Sequence, residues 1–540
     1  MNYGFIIDNR KCIGCHACTV ACKSEHDVAV GVNRTWVKYV EKGEYPNTRR
    51  LFSVMRCNHC EDAPCAEICP VEALHIRDDG IVDFDNRRCI GCKSCMQACP
   101  YDALYIDPKT QTAAKCNYCT HRIDIGLEPA CVNVCPEQAI ISGDMNNPHT
   151  EIAQLLSREQ VKARKPEKGT KPNLFYIDAD ESSLSPAHAE TSDNYMWNSQ
   201  SSGVGHYAKY AESLIAKNDP VELYKIQATN GTVNPSTPDK VKPVGDNTIT
   251  SPKGILQDTI RRAYDAPSKG VLWGWEVSAY VLTKAIAAGM FLIPFLAILS
   301  GTLVADETQW TGLIGSLIFL GLTGALLVKD LDKPTRFAYV LLRPQWKSWL
   351  VRGGYSITAF GGLVTLWGVA KYFAFSGLEQ LAFWGAAVFA IIVSVYTAFL
   401  FAQAKGRDFW QSPALILHML IHPFLAGSAI FALIGTSNLM EGFLSQILTF
   451  SIIANLLIVF AELFISHPTT DAKNTAQMII SGRFSKLFWI GAIIIGNLIP
   501  LIMMFFIGTG MLQITGVLVL IGLYITEHIW VRAPQMISLS

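Results

Sequence analysis

Residues 89–100 read CIGCKSCMQACP, in which four cysteines follow the spacing C-x2-C-x2-C-x3-C and a proline comes next. Residues 12–22 repeat this spacing, and two variants of it lie at residues 57–70 (C-x2-C-x4-C-x3-C-P) and 116–136 (C-x2-C-x11-C-x3-C-P). These groups contain all 16 cysteines, and the chain after Cys135 contains none. Such clustering indicates cysteines that build sites, not thiols scattered through a core.

Cysteine thiolates bind both zinc and iron–sulfur clusters, so a single C-x2-C pair does not distinguish them. A third cysteine at the same spacing and a fourth three residues further on favour [4Fe–4S] clusters. Three close thiolates bind one cluster, and the fourth reaches the neighbouring cluster. The 16 cysteines divide into four such sets with none left over. Four zinc sites are the alternative, and a visible absorption band that bleaches on reduction, with roughly sixteen irons per chain, separates the two.

Exchange of the fourth thiolate between neighbouring clusters pairs the first cysteine group with the fourth and the second with the third. The predicted ligand sets are Cys12, Cys15 and Cys18 with Cys135; Cys116, Cys119 and Cys131 with Cys22; Cys57, Cys60 and Cys65 with Cys99; and Cys89, Cys92 and Cys95 with Cys69.

Short apolar runs suited to strands follow three of the groups, at residues 73–76, 103–106 and 139–141, and residues 173–178 add another. The prediction for residues 1–180 is therefore an α+β ferredoxin-like domain of two bis-cluster ferredoxin repeats. Residues 181–269 are polar and rich in Ser, Asn, Pro and Gly, which predicts a linker. This linker is either a solvated tether or a segment that wraps around a partner.

Residues 270–540 contain repeated runs of about 20 apolar residues, which predict an all-α transmembrane bundle in a lipid bilayer. The eight predicted spans are Trp275–Val304, Trp310–Val328, Gly353–Tyr372, Leu381–Gln403, Pro413–Gly435, Leu444–Ile465, Leu487–Ile507 and Met511–Trp530.

The positive charges between the spans predict the orientation of this bundle. Twelve Lys and Arg residues lie on the side of the two ends, against Lys371 alone on the other side. The positive-inside rule then places the cysteine-rich domain and the C-terminus in the cytoplasm of a bacterium, at its inner membrane. Residues 1–10 contain no export signal, which agrees with this side. The formal net charge is zero, and we expect no nucleic-acid partner.

Ionisable residues inside apolar spans are costly and are often functional. Lys284 lies about nine residues into the first span, and Tyr280 precedes it by one turn on the same helix face. His418 and His422 lie at a similar depth in the fifth span.

A quinone headgroup needs hydrogen-bond donors for its carbonyls and a path for protons, and these side chains can supply both. We therefore expect a quinone site at Tyr280, Lys284, His418 and His422, with Asp330 and Arg336 at its mouth. The alternative is that Lys284 pairs with a carboxylate and that the histidines cap helices. Glu462 and Glu527, near the ends of their spans, are not expected to be catalytic.

Residues 1–180 resemble the four-cluster electron-transfer subunit of the complex iron–sulfur molybdoenzymes, which include dimethyl sulfoxide and polysulfide reductases and sulfite dehydrogenase. Residues 270–540 are similar to the NrfD/polysulfide-reductase membrane family, notably in residues 329–352 (KDLDKPTRFAYVLLRPQWKSWLVR) and 524–535 (YITEHIWVRAPQ). The resemblance implies a separate catalytic subunit with a molybdopterin cofactor. It also implies a quinone site at the end of the bundle that faces the clusters.

The expected function is that of an electron-transfer and membrane-anchor subunit between a molybdopterin partner and membrane quinone, either menaquinone or ubiquinone. The inward orientation resembles that of the sulfite-oxidising members, so sulfite oxidation is the preferred reaction. Two alternatives are a module that couples electron flow to proton or sodium translocation, and a structural anchor that delivers electrons to another soluble partner.

Overall fold

The computed structural model describes residues 1–43, 46–186, 189, 260–266, 269–435 and 438–540. Most of the predicted linker, including residues 190–259, lies outside the described residues. The cysteine-rich part and the helical part are here called the cysteine domain and the membrane domain.

The cysteine domain is built around a four-stranded sheet with the order β8-β1-β10-β9. Its central strand β1 contributes Phe5, Ile6 and Ile7, which are all buried. β1 runs parallel to β10 and antiparallel to β8. The strands of the domain are β1 (Tyr3–Asp8), β2 (Thr35–Lys42), β3 (Arg49–Arg56), β4 (Leu74–Ile76), β5 (Val82–Phe84), β6 (Tyr105–Asp107), β7 (Thr112–Ala114), β8 (Ile140–Asp144), β9 (Val161–Ala163), β10 (Leu174–Ile177) and β11 (Ile260–Tyr264).

A second sheet has the order β11-β2-β3, and all its pairs are antiparallel. β11 belongs to the stretch predicted as a linker, so the end of that stretch forms part of the cysteine domain. Two small hairpins, β4–β5 and β6–β7, follow the second and third cysteine groups. The short helices are α1 (Ala17–Glu25), α2 (Pro64–Glu67), α3 (Ser94–Ala98), α4 (Thr120–Ile123), α5 (Ala130–Asn133), α6 (Glu151–Arg158) and α7 (Glu181–Leu184).

The first and third cysteine groups have the same backbone conformation. Gly14 and Gly91 both have φ near +72°, and the residues two positions later, His16 and Lys93, have φ of 61° and 60°. Left-handed dihedrals at alternate residues wind each loop into a tight turn. The repeated geometry agrees with the prediction of two ferredoxin repeats.

The membrane domain is all-helical. Its helices are α8 (Trp275–Leu299), α9 (Asp306–Lys329), α10 (Tyr339–Leu342), α11 (Trp349–Tyr372), α12 (Ser376–Gln403), α13 (Ala414–Ile434), α14 (Asn438–Phe464), α15 (Thr470–Ile480), α16 (Leu487–Phe506) and α17 (Leu512–Arg532). Among the described residues, seven of these are long and apolar enough to cross a membrane. The third predicted span, Gly353–Tyr372, lies in α11, a helix of 24 residues that packs along α12 and is not among these seven.

Helix α8 is the most buried membrane helix and packs against α9, α12, α13 and α17. Its Gly289 meets Gly427 of α13 so closely that a Cβ on either residue would collide with the opposite backbone. This crossing fixes α8 and α13 against each other, which matters because both carry ionisable side chains.

The membrane domain docks on the cysteine domain through the two stretches that carry the family resemblance. Arg336 donates to the carbonyl oxygens of Asn86 and Cys89 at 2.8 and 2.9 Å, and Ser348 Oγ donates to that of Ile68 at 2.7 Å. From the C-terminal stretch, Gln535 Oε1 accepts a 2.6 Å bond from Gln97. These contacts place the second and third cysteine groups directly over the bundle.

Candidate functional site

The cysteine side chains gather in four places. Cys12, Cys15, Cys18 and Cys135 line one small cavity, and Cys69, Cys89, Cys92 and Cys95 line another. Cys22 and Cys119 both lie close enough to Cys116 and Cys131 to interact with them electrostatically. Cys60 lies within that range of Cys57, Cys65 and Cys99. The two cavities contain the cysteines of two predicted ligand sets, and the assignment of a cluster to each of the four sets remains a prediction.

The chemistry of these gatherings suits clusters bound by thiolates. Burial raises the pKa of the Cys18 and Cys119 thiols to about 12, so sulfurs held this close together need a cation to lose their protons. Amide N–H groups already point at several sulfurs, among them Ala73 N to Cys69 Sγ and Ala139 N to Cys135 Sγ, both at 3.2 Å. Such bonds stabilise thiolate and cluster charge.

Two side chains also reach sulfur atoms. Arg56, which is fully buried, donates from Nη1 to Cys131 Sγ at 3.1 Å. Nε2 of His26 lies 3.1 Å from Cys119 Sγ. Both contacts are made to one gathering of cysteines. Spacing could not reveal them, since both residues lie outside the cysteine groups.

A larger cavity of about 160 Å³ lies where the cysteine domain meets the bundle. Cys92 lines this cavity as well as the cavity of its own cysteine gathering. The opposite wall carries Tyr280, Asp330 and Tyr396. The remaining lining residues are mostly apolar. A mainly apolar cavity with a few polar groups is typical of sites for small organic cofactors.

Two of the six residues predicted for the quinone site, Tyr280 and Asp330, line this cavity. Asp330 follows the end of α9, and burial raises the pKa of its carboxyl group to about 7, against the opposing effect of Lys93. Tyr396 was missed from the sequence, because an apolar run does not reveal which face of a helix turns inward.

Lys284 lies behind the cavity and does not line it. Its Nζ donates to the carbonyl oxygen of Ser394 at 3.0 Å and to Thr397 Oγ1 at 2.6 Å. The same nitrogen lies 4.8 Å from the ring centroid of Tyr396. Arg336, predicted at the mouth, is engaged in docking the two domains.

His418 and His422 lie apart from this cavity, in a buried polar group of their own. Nδ1 of His418 lies 2.7 Å from Glu462 Oε2, and Nδ1 of His422 lies 2.6 Å from Glu527 Oε1. The two carboxylates were not expected from the sequence to be catalytic, and both are buried. Their position inside apolar spans was the signal that could have identified them.

Comparisons with known proteins agree with this division into two domains. A family described as polysulphide reductase, NrfD, matches residues 265–537, and a 4Fe-4S dicluster domain matches residues 48–145. A subunit of the tetrathionate reductase of Salmonella typhimurium is 46% identical over 189 residues, which cover 34% of this chain and 75% of the relative.

Two further relatives match a similar share of the chain. A polypeptide of the polysulfide reductase of Wolinella succinogenes is 42% identical over 180 residues, which cover 32% of this chain and 93% of the relative. The arsenate respiratory reductase iron-sulfur subunit ArrB of a Shewanella species is 32% identical over 225 residues, which cover 33% of this chain and 96% of the relative.

Proposed function

Because the chain belongs to the polysulphide reductase NrfD family and carries a 4Fe-4S dicluster domain ahead of its membrane domain, we propose that it conducts electrons between a catalytic partner and membrane quinone. It is a multi-pass membrane protein and an iron–sulfur electron-transfer subunit. The proposal adds the number of clusters, the quinone and the partner.

The predicted ligand sets would hold four [4Fe–4S] clusters. The order of the clusters in the series follows from which ligand sets lie next to each other. The first set (Cys12, Cys15, Cys18, Cys135) adjoins the second (Cys22, Cys116, Cys119, Cys131) through Cys18 and Cys131. The third set (Cys57, Cys60, Cys65, Cys99) adjoins the second through Cys116 and Cys57. It adjoins the fourth (Cys69, Cys89, Cys92, Cys95) through Cys65 and Cys69.

The observation that carries the proposal is the position of Cys92, which lines both the cavity of the fourth set and the 160 Å³ cavity against the bundle. A quinone headgroup in the larger cavity would lie beside the last cluster of the series. The hydroxyl of Tyr280 and a protonated Asp330 can donate hydrogen bonds to the quinone carbonyls. The apolar wall would receive the ring and the start of the isoprenoid tail.

The catalytic partner would meet the opposite end of the series, where Cys15 of the first set is exposed. We propose a molybdopterin subunit in that place, on the cytoplasmic side that the positive charges indicate, with sulfite oxidation as its reaction and menaquinone or ubiquinone as the acceptor. The named relatives are subunits of tetrathionate, polysulfide and arsenate reductases. Purification of the intact complex and identification of the co-eluting subunit tests this part.

The quinone step is tested with the full-length chain in lipid nanodiscs. Its clusters are reduced with dithionite, a short-chain quinone is mixed in, and the return of the visible cluster absorption is followed. We expect rapid reoxidation that a quinone-site inhibitor blocks. Tyr280→Phe should slow it, whereas Tyr524→Phe, a half-buried tyrosine on α17 outside the cavity, should not. Clusters that quinone leaves reduced would favour a structural anchor that serves another soluble partner.

A further inference from the structure

Two buried histidine–carboxylate pairs lie inside the bundle and do not line the cavity. The side chains of His418 and Glu462 are 0% and 2% exposed, and those of His422 and Glu527 are 1% and 0% exposed. Burying four ionisable groups within apolar helices is costly unless they are paired or functional. Their hydrogen bonds fix where protons lie.

The side chains of Asn497 and Asn455 determine whether Nε2 of His422 donates or accepts a hydrogen bond. Asn497 lies in the π-helical part of α16 and donates from Nδ2 to the carbonyl oxygen of Ala492 at 2.8 Å. Its Oδ1 therefore accepts from Asn455 Nδ2 at 3.0 Å, which turns Asn455 Oδ1 towards Nε2 of His422 at 3.3 Å. An amide oxygen can only accept, so Nε2 of His422 carries a proton.

The other ring nitrogen, Nδ1, faces Glu527 Oε1 at 2.6 Å. One further proton must lie between them, because two lone pairs at that distance would repel. It is carried either as an imidazolium beside a carboxylate or as a carboxylic acid beside a neutral imidazole. Both arrangements contain the same number of protons. The pair of His422 and Glu527 therefore holds one proton in common.

This pair continues to a second one. Glu462 Oε2 accepts from Trp530 Nε1 at 2.9 Å and lies 2.7 Å from Nδ1 of His418. Nε2 of His418 and Oε2 of Glu527 are buried and have no partner among the described residues. His418, His422 and Glu527 each offer an atom within 4.8 Å of the others. A water molecule between these two atoms would connect the two pairs.

Lys284 lies near both the Glu527 pair and the wall of the cavity. The titratable groups that face Glu527 are His418 and His422 on α13 and Lys284 and Tyr280 on α8, and Lys284 lies within electrostatic range of the carboxylate. The Nζ of Lys284 also lies against the ring of Tyr396, which lines the cavity together with Tyr280. Lys284 is thus placed between the cavity wall and Glu527.

We propose that Glu527 and His422 are the proton donor and acceptor for the quinone in the cavity, through Lys284, and that His418 and Glu462 reload them. This proposal rests on the proposed function. Reduction of one quinone to quinol takes two protons and two electrons, which would arrive one at a time through the cluster that the fourth cysteine set would hold. One proton comes from the Glu527 pair and one enters from water past Asp330. Quinol oxidation is the reverse.

The test uses the full-length chain in nanodiscs, with clusters reduced by dithionite and mixed with a short-chain quinone in H2O and in D2O. Glu527→Gln should slow reoxidation by about 100-fold, the usual size of a proton-transfer contribution. Glu441→Gln serves as the matched control, because Glu441 lines a cavity at the opposite end of the bundle. It should leave the rate and the isotope effect unchanged. Wild-type rates in Glu527→Gln would overturn the proposal.

A second measurement does not depend on a variant that folds. Infrared difference spectra of the wild-type chain, before and after reoxidation by quinone, should contain a carboxylic-acid or imidazolium band that shifts in D2O. A spectrum without such a band would overturn the proposal. So would a metal ion other than iron, present at one per chain and absent from Glu527→Gln. If quinone fails to reoxidise even the wild-type clusters, the proposed function fails first.

Discussion

Nε1 of Trp273 donates a hydrogen bond of 3.1 Å to the carbonyl oxygen of Cys92. A residue just ahead of the first membrane helix thus contacts the backbone of a cysteine that lines both cavities. The indole of Trp273 also stacks on Trp410, with 5.6 Å between the ring centroids, and lines the larger cavity itself. The proposed exit for electrons is therefore part of the interface between the two domains.

Replacement of Trp273 by Phe should slow electron transfer to quinone several-fold and leave the iron content unchanged. The variant retains an aromatic ring against Trp410 but loses the hydrogen bond to Cys92, so the two domains hold the cavity less firmly. Stopped-flow reoxidation and iron analysis measure the two effects. Trp384→Phe is the matched control, since Trp384 is 53% exposed on the outside of the bundle. Equal rates in both variants would contradict this role.

Cys92→Ala and Cys15→Ala should each remove roughly four irons, because each set of four thiolates would hold one cluster. The two variants should differ in their reaction with quinone. Loss of the fourth set disconnects the other clusters from the cavity, whereas loss of the first set leaves the connection intact. Iron analysis combined with reoxidation by quinone distinguishes them. Rapid reoxidation of Cys92→Ala would exclude the proposed order.

Arg56→Gln should lower the reduction potential of the second cluster. The guanidinium donates to Cys131 Sγ and adds positive charge next to the cluster, which stabilises the reduced, more negative form. A loss of about 1.4 kcal/mol corresponds to a shift of about 60 mV for one electron. Redox titration followed by electron paramagnetic resonance measures this potential. Arg56→Lys, which keeps the charge, should shift it less, and an unchanged potential in Arg56→Gln would refute the assignment.

Binding of a quinone analogue should weaken as the pH rises through about 7. Burial raises the pKa of Asp330 to about this value, so below it the carboxyl group is protonated and can donate to a quinone carbonyl. Above it the group is charged and only accepts. Titration of an inhibitor by fluorescence quenching at several pH values measures the effect. Asp330→Asn, which always carries a donor, should bind with little dependence on pH.

The cysteine groups and the apolar runs were sufficient to predict the two kinds of domain, because both are local patterns. The strands after the cysteine groups form close to the predicted positions, as β4, β6 and β8 show. The cavity could not be predicted. Cys92, Trp273 and Tyr396 are distant in sequence and meet only when the domains dock.

The sequence likewise could not predict that Lys284 lies in a different hydrogen-bonded group from His418 and His422. All three were placed at similar depth from residue counts, and depth says nothing about the direction in which a side chain points from its helix. Contacts between helices decide that direction, as the crossing of Gly289 and Gly427 does for α8 and α13. The partners Glu462 and Glu527 lie on other helices again and had no local pattern to link them to the histidines.

Strand β11 has a consequence for how the protein is made. It completes the β11-β2-β3 sheet, yet it leaves the ribosome long after its neighbours β2 and β3 and immediately before α8. The cysteine domain therefore becomes complete only as the first hydrophobic helix reaches the insertion machinery. Completion of this sheet thus coincides with membrane insertion of α8, a timing that two separately translated subunits would not share.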